Sequence, residues 1–521
     1  MDRAQVWWWC SGMADVLLDD ISRVFPDGSA AVSHLTLHVR QGELMVIVGP
    51  SGCGKSTVLR LIAGLDPLAG GTISIGGRVV NNLTPGERNV AMVFEAAALY
   101  PHLATAGRPR GPLGGLPITI KSAIEVAGMK VETGSSSRRG IVAIDDAVIV
   151  RRLRAAGAIV LGATNVADML MAYESDNPLY GRTNNPWDLT RTAGGSSGGE
   201  SAAIAAGCSA GGIGSDGGGS VRVPAHFTGI AALKPTPGRI PGTGHQPACL
   251  GPFALLGVVG PMARTIGDVS ALFAAIAGWD EGDPMAAPVH RQDAPRPGTI
   301  RIGYFEDDGH VPVTAEIRAA VRTAAAAAAQ AGYAVEPFLP KGLAQARQLW
   351  NLFFCEIALQ VLHEPLAGAE MELPILKAYL QSAVRAPLTG LGLTQAWMER
   401  DALRTTILRQ MATHRVLLCP VASVPAFRHG ERSWSIDGRE VGYLDAMSYT
   451  QWVNVMGHPA ATVPVGRSIE GLPIGIQVIG RPWEEELVLQ VAAAIERHTG
   501  GFEPPPSVSG WPATSRGPSL P

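Results

Sequence analysis

One lysine and two serines, each serine set in a glycine-rich loop, are the residues of this chain best suited to do chemistry: Lys121 in LPITIKSAIEV, Ser196 in GGSSGGE and Ser220 in GSDGGGSVR. A serine hydroxyl is a poor nucleophile at neutral pH and needs a base, and a lysine can be that base when burial favours its neutral form. Lys121 follows the apolar run from Leu116 to Ile120, which suits a desolvated position. Ser196 would relay the proton, accepting it from Ser220 and donating its own to the Lys121 nitrogen. Attack on a carbonyl builds an oxyanion. The backbone N–H groups of Gly217, Gly218, Gly219 and Ser220 are the expected donors, since glycine lets a carbonyl come close, and one such donor is worth ~3 kcal/mol in the barrier. Such parts cleave or transfer amides.

Lys121 and Ser196 are 75 residues apart and Ser196 and Ser220 are 24 apart, so tertiary folding must gather them. The elements that do so are readable. An extended apolar segment ends at Lys121, a helix-like ESAAIAAG separates the two serine loops, and VRVPAHFTGIAALKP after the second loop has the look of buried structure. Gly/Ser tracts alone would suggest flexible linkers, but apolar elements on both sides argue against that here. Further on, TAEIRAAVRTAAAAAAQAGYAVEPF predicts a helix followed by a strand, and residues 342–415 read as helical. Trp350, Phe353, Phe354 and Trp397 there could line a substrate pocket or pack in the core. Asp145 or Asp146 is the expected N-cap of a helix over AVIVRRLRAAGA.

In motif order and separation these residues resemble the amidase signature family. The resemblance runs from about residue 111 to 506, through ETGSSSRRGIVAIDDAVIVRRLRAAGAIVLGATN, GIAALKPTPGRI, GPMARTIGDVSALF, GHPAATVPVG and GLPIGIQVIGRPWEE. It implies an α/β fold with a mixed central sheet flanked by helices, a catalytic Lys121–Ser196–Ser220 set with Ser196 on a cis peptide, and hydrolysis through an acyl-Ser220 intermediate. It also implies that Ser197 supports the relay, that Asp216 and Arg222 form an ion pair holding the nucleophile loop, that no metal or organic cofactor is needed, and that a homodimer is possible.

The first hundred residues read differently. Strand-like LMVIV runs into GPSGCGKST and a helix-like VLRLIAGL, the order of a phosphate-binding loop in which Gly49, Gly52, Gly54, Lys55, Ser56 and Thr57 would hold a nucleotide and its magnesium. With MADVLLDDISRVFPDGSAAVSHLTLHVRQGE before it and GGTISIGGRVVNNLTPGERNVAMVF after it, the stretch resembles the start of an ABC-transporter ATP-binding subunit over about residues 13–105. Glu95 stands where that family has glutamine, and the unit is cut short, so only weak Mg–ATP binding is expected. IVAIDD at 141–146 mimics a Walker B strand and SSGGE at 196–200 a signature loop, but their order is the reverse of the ABC order.

The expected organisation is an extension over residues 1–12, the ABC-like fragment over 13–105, the amidase-like domain over 106–506 and a Pro/Ser/Gly-rich disordered tail over 507–521. The chain of 521 residues is 46% hydrophobic with net charge −3. That balance supports a sizeable core and gives no electrostatic reason to bind nucleic acid or an anionic membrane. Its six cysteines lack paired metal spacing and read as reduced thiols. With no apolar signal region or membrane span in the sequence, a cytoplasmic enzyme acting on a small amide is the expectation. The alternatives are the glutaminase (A) subunit of a tRNA-dependent amidotransferase, an ABC importer subunit, and an inactive fusion product.

Overall fold

The computed structural model describes residues 14–24, 30–40, 54–84, 87–88, 90, 111–248, 251–357 and 389–506. The chain divides into two compact units, Met1–Pro109 and Arg110–Pro521.

In the first unit, strands Val16–Val24, Ala30–Val39, Gly70–Ile75 and Arg78–Val79 form an antiparallel sheet. The helix Lys55–Ala63 begins after Gly54 and ends at Gly64, both at positive φ. A small core of Leu18, Ile21, Val32, Val58, Leu61, Ile62, Ile73 and Val80 joins helix and sheet. Of the expected strand, phosphate loop and helix, the helix lies within the described residues. The strand LMVIV, Gly49, Gly52 and Glu95 lie outside them, as do the side chains of Lys55 and Ser56. The extension over 1–12 and the tail over 507–521 lie outside them too.

The second unit is built on a ten-stranded mixed sheet. In chain order its strands are β1 Pro117–Lys121, β2 Ile159–Thr164, β3 Gly211–Asp216, β4 Ala231–Lys234, β5 Val258–Ala263, β6 Arg301–Tyr304, β7 Ala334–Pro337, β8 Val416–Pro420, β9 Ala460–Arg467 and β10 Pro473–Gly480. In space they run β7-β6-β8-β10-β9-β4-β5-β3-β1-β2. Pairing is parallel at the two ends, among β7, β6 and β8 and among β3, β1 and β2, and antiparallel through the middle. Helices packed on the sheet bury its apolar residues in one large core and a smaller cluster that includes Val221, Ala232 and Met262. Central strands covered on both faces carry near-continuous apolar runs: β8 (VLLCP) and β10 (PIGIQVIG) are buried at every position.

Parallel pairing brings the C-terminal ends of β1 and β3 side by side, with Ile120 of β1 opposite Ile213 of β3 and Lys121 opposite Thr164 of β2. The loop after β3 carries Ser220, and the helix Gly198–Ala205 that follows the Ser196 loop packs on β1 and β3. In open α/β sheets, ligands bind at the carboxyl ends of strands. Lys121 and Ser220 therefore sit where such a sheet places its chemistry.

One local expectation is corrected. The helix expected after Asp145 or Asp146 spans Val148–Ala155, and its N-cap is Ala147 without a side-chain cap bond. The Asp146 carboxylate instead accepts from Ala127 N–H at 2.9 Å and pairs with Arg154, partners that compete with capping. The IVAIDD segment forms no strand beyond a single bridge of Val142 to Lys130. Ile144 is 90% exposed, which a Walker B strand inside a parallel sheet would not be. Among the described residues no helix is long and apolar enough to cross a membrane.

Candidate active site

Lys121 is fully buried and donates from Nζ to Ser196 Oγ at 2.7 Å and to the Ser215 carbonyl at 3.1 Å. The period-2 alternation of a strand puts Thr119 and Lys121 on the same face of β1. That face meets the Ser196 loop and its helix, where Glu200 accepts from the hydroxyls of Thr119 and Thr164, the latter at 2.7 Å. A Cβ on Gly212 of β3 would fall 1.8 Å from Glu200 Oε1, so glycine at 212 makes room for the carboxyl on the sheet. Burial pushes the Glu200 carboxyl up to about 7, opposed by its two hydroxyl donors and by the charge of Lys121. The Gly195–Ser196 peptide is cis.

The Ser220 loop is held from below by ions. Asp216 and Arg222 are fully buried and doubly hydrogen-bonded at 2.9 and 3.0 Å. Arg222 also donates to Gln477 Oε1 at 2.6 Å and to Asn454 Oδ1. Burial opposes ionisation of Asp216, but the charge and hydrogen bonds of Arg222, with the Val221 N–H, hold its carboxyl well below the usual carboxylate range. Beside the loop, burial lowers His245 to about 4, with its bond to the Pro247 carbonyl pulling the other way and the Lys121 charge adding to the drop. His245 is thus neutral near pH 7, with Nδ1 on the Pro247 carbonyl at 2.9 Å and Nε2 on Ser215 Oγ at 2.8 Å.

The oxyanion expectation needs one correction. Gly219 N–H donates to Asp216 Oδ1 at 2.7 Å, which turns it away from any substrate carbonyl. Gly217, Gly218 and Ser220 remain as backbone donors. Ser197 shares an acceptor with Lys121, the Ser215 carbonyl. Its hydroxyl lies on the Ser215 backbone, 3.3 Å from the carbonyl, and its N–H donates to the Ser220 carbonyl at 3.2 Å, so it braces the two loops. Among the described residues no hydrogen bond joins Ser196 Oγ to Ser220 Oγ.

Ser220 faces a pocket lined by Leu170, Met171, Ala172, Tyr173, Trp350 and Phe354. The Trp350 and Phe354 rings stack with centroids 4.9 Å apart. Each lies against a glycine of the loop: a Cβ on Gly217 would be 2.4 Å from Phe354 Cε2, and one on Gly218 2.4 Å from Trp350 Cζ2. Phe353 is fully buried and packs on Trp397 with centroids 4.4 Å apart. Of the four aromatics singled out in the sequence, two line the pocket and this pair packs in the core. Sequence reasoning missed Glu200, Tyr173, Thr450 and Asn454 as partners of the site. Glu200 alone left a signal, a single acid in an otherwise small and apolar helix.

The amidase family model matches residues 90–489. The chain belongs to the amidase family. It is a hydrolase that acts on carbon–nitrogen amide bonds. The match begins ahead of residue 111, where the motif resemblance starts. An indoleacetamide hydrolase of Bradyrhizobium diazoefficiens is 34% identical to this amidase over 406 residues, 76% of this chain and 75% of that protein. The A subunit of a glutamyl-tRNA(Gln) amidotransferase of Syntrophobacter fumaroxidans is 34% identical over 437 residues, 76% of this chain and 87% of that one. The structure of 6-aminohexanoate cyclic dimer hydrolase complexed with substrate superposes with a TM-score of 0.67 at 28% identity, covering 78% of this chain and 88% of that one.

Proposed function

We propose that this amidase hydrolyses amides of apolar acyl groups by Lys121, Ser196 and Ser220 acting together, without metal or organic cofactor. Ser220 Oγ attacks the amide carbonyl carbon as its proton passes to Ser196, whose own proton passes to Lys121. The N–H groups of Gly217, Gly218 and Ser220 hold the oxyanion. The tetrahedral adduct collapses as the relay runs in reverse to protonate the leaving nitrogen, the amine departs, and acyl-Ser220 remains. Water activated by the same relay attacks the acyl carbon and releases the acid and Ser220. Ser197 and the Asp216–Arg222 pair position the two loops. The observation that carries this reading is the 2.7 Å bond from Lys121 Nζ to Ser196 Oγ, formed by a fully buried lysine next to the Ser220 loop.

The apolar wall at Ser220 supports the choice of acyl group, and the indoleacetamide relative fits it. A glutaminase subunit would have to recognise the polar side chain and charged ends of glutamine, for which this wall offers few partners, so that reading ranks second. The nucleotide-binding reading of residues 13–105 rests on sequence motifs, and we assign the loop no part in amide hydrolysis. A panel of arylacetyl, straight-chain acyl and amino-acid amides, assayed for ammonia or amine release by the chain alone, tests the proposal. Arylacetyl or acyl amides should turn over fastest. Turnover of glutamine alone, or only on adding an amidotransferase partner, would contradict it.

A further inference from the structure

Three successive peptide units make up the Gly217–Ser220 loop, and their carbonyl ends are all taken. The Gly219 carbonyl accepts from Val223 N–H at 2.7 Å, and the Gly218 carbonyl from Tyr173 Oη at 2.9 Å and Thr450 Oγ1 at 2.6 Å. The Gly217 carbonyl accepts from the indole Nε1–H of Trp350 at 2.9 Å, its one hydrogen bond among the described residues. In a planar trans peptide the C=O and the following N–H point in opposite directions. The bond that fixes Gly217 O therefore fixes the direction of Gly218 N–H. The neighbouring units have backbone or doubled anchors, whereas this one is flanked by glycines on both sides and would rotate readily without the indole.

Resting on the reading of Ser220 as nucleophile, we infer that Trp350 is a positioning residue for the oxyanion site: its indole N–H aims Gly218 N–H at the developing negative charge, in addition to the ring's place in the acyl wall. A donor aimed in advance acts mainly in the transition state, so its loss lowers kcat and leaves KM nearly unchanged. A role as pocket wall alone would raise KM instead.

The test replaces Trp350 with β-(3-benzothienyl)alanine, which keeps the bicyclic shape and exchanges N–H for sulfur, and makes Trp350→Phe in parallel. Each variant is assayed for kcat and KM on the best amide, and for inhibition by the matching aldehyde, which forms a tetrahedral adduct on serine. The expected result for the benzothienyl variant is a fall of about 10-fold in kcat, KM within twofold of wild type, and a matching loss of aldehyde affinity. A kcat within twofold of wild type overturns the inference, as does a raised KM with kcat retained. Complete fluorophosphonate labelling of Ser220 in both proteins keeps the nucleophile reading standing through either result. Labelling at another residue in wild type would overturn that reading, and the inference with it.

Discussion

The two sides of the Ser220 loop are built from different physics. Beneath it, Lys121, Ser196, Glu200, Asp216 and Arg222 are almost wholly buried, and hydrogen bonds lock each of them. Facing the pocket, Leu170, Met171, Tyr173, Trp350 and Phe354 offer mostly ring and alkyl surface. A buried charge deprived of its partner is stranded in a medium that solvates it poorly, whereas an apolar wall can repack after a volume change. The polar side should therefore respond to substitution in an all-or-none way, and the apolar side by degrees.

The largest effect expected is Lys121→Ala, which removes the proposed base while the sheet around β1 stays packed. Turnover should fall by roughly 10³–10⁴-fold with the unfolding midpoint little changed. Near-normal rates at neutral pH would make the lysine structural and break the contrast at its centre.

Asp216→Asn comes next and reads out in stability. Arg222 would keep its buried charge and lose its counter-ion, at a cost of about 3 kcal/mol or more, measured by urea unfolding. A loss below about 1 kcal/mol would show that Gln477 and Asn454 alone suffice to hold the guanidinium.

Glu200 gives a smaller effect that depends on pH. Its carboxyl is raised from 4.5 to about 7 by burial, so between those values the folded protein holds a proton that the unfolded chain has lost. The contribution to stability is full below pH 4.5 and declines as pH rises toward 7. Glu200→Gln abolishes this titration. The variant's unfolding free energy relative to wild type should therefore rise by at most about 3 kcal/mol from pH 4.5 to 7.5. A difference that stays flat across that window would contradict the raised carboxyl.

The smallest effect is none at all. Lys55→Ala, in the first unit, should leave amide turnover unchanged with or without ATP. Any ATP-dependent change in amidase rate that this substitution removes would join the first unit to the reaction.

Much of the polar side was legible in the sequence because its residue types are rare inside proteins and sit in glycine-rich frames. Lys121 after an apolar run, the two serine loops and the Asp216–Arg222 pair can all be named without the fold, the pair only through the family resemblance. Hydrogen-bond direction was not legible. Gly219 has the same composition as Gly218, yet its N–H serves Asp216 while that of Gly218 has no acceptor among the described residues, a difference of backbone orientation on which residue type is silent. Trp350 lies 133 residues from Gly217, and nothing in helical spacing separates it from Phe353, which turns inward to Trp397. The Asp146 side chain missed its capping role because Ala127 and Arg154, brought close by folding, compete for it.

The central claim is that Ser220, rather than Ser196, carries the acyl group. The most direct measurement is peptide mapping by mass spectrometry of the whole protein after reaction with a fluorophosphonate, beside Ser196→Ala and Ser220→Ala variants. The expected result is one label per chain on Ser220, slowed in Ser196→Ala and absent in Ser220→Ala. A label on Ser196, with Ser220 unmodified in the wild-type protein, would contradict the account.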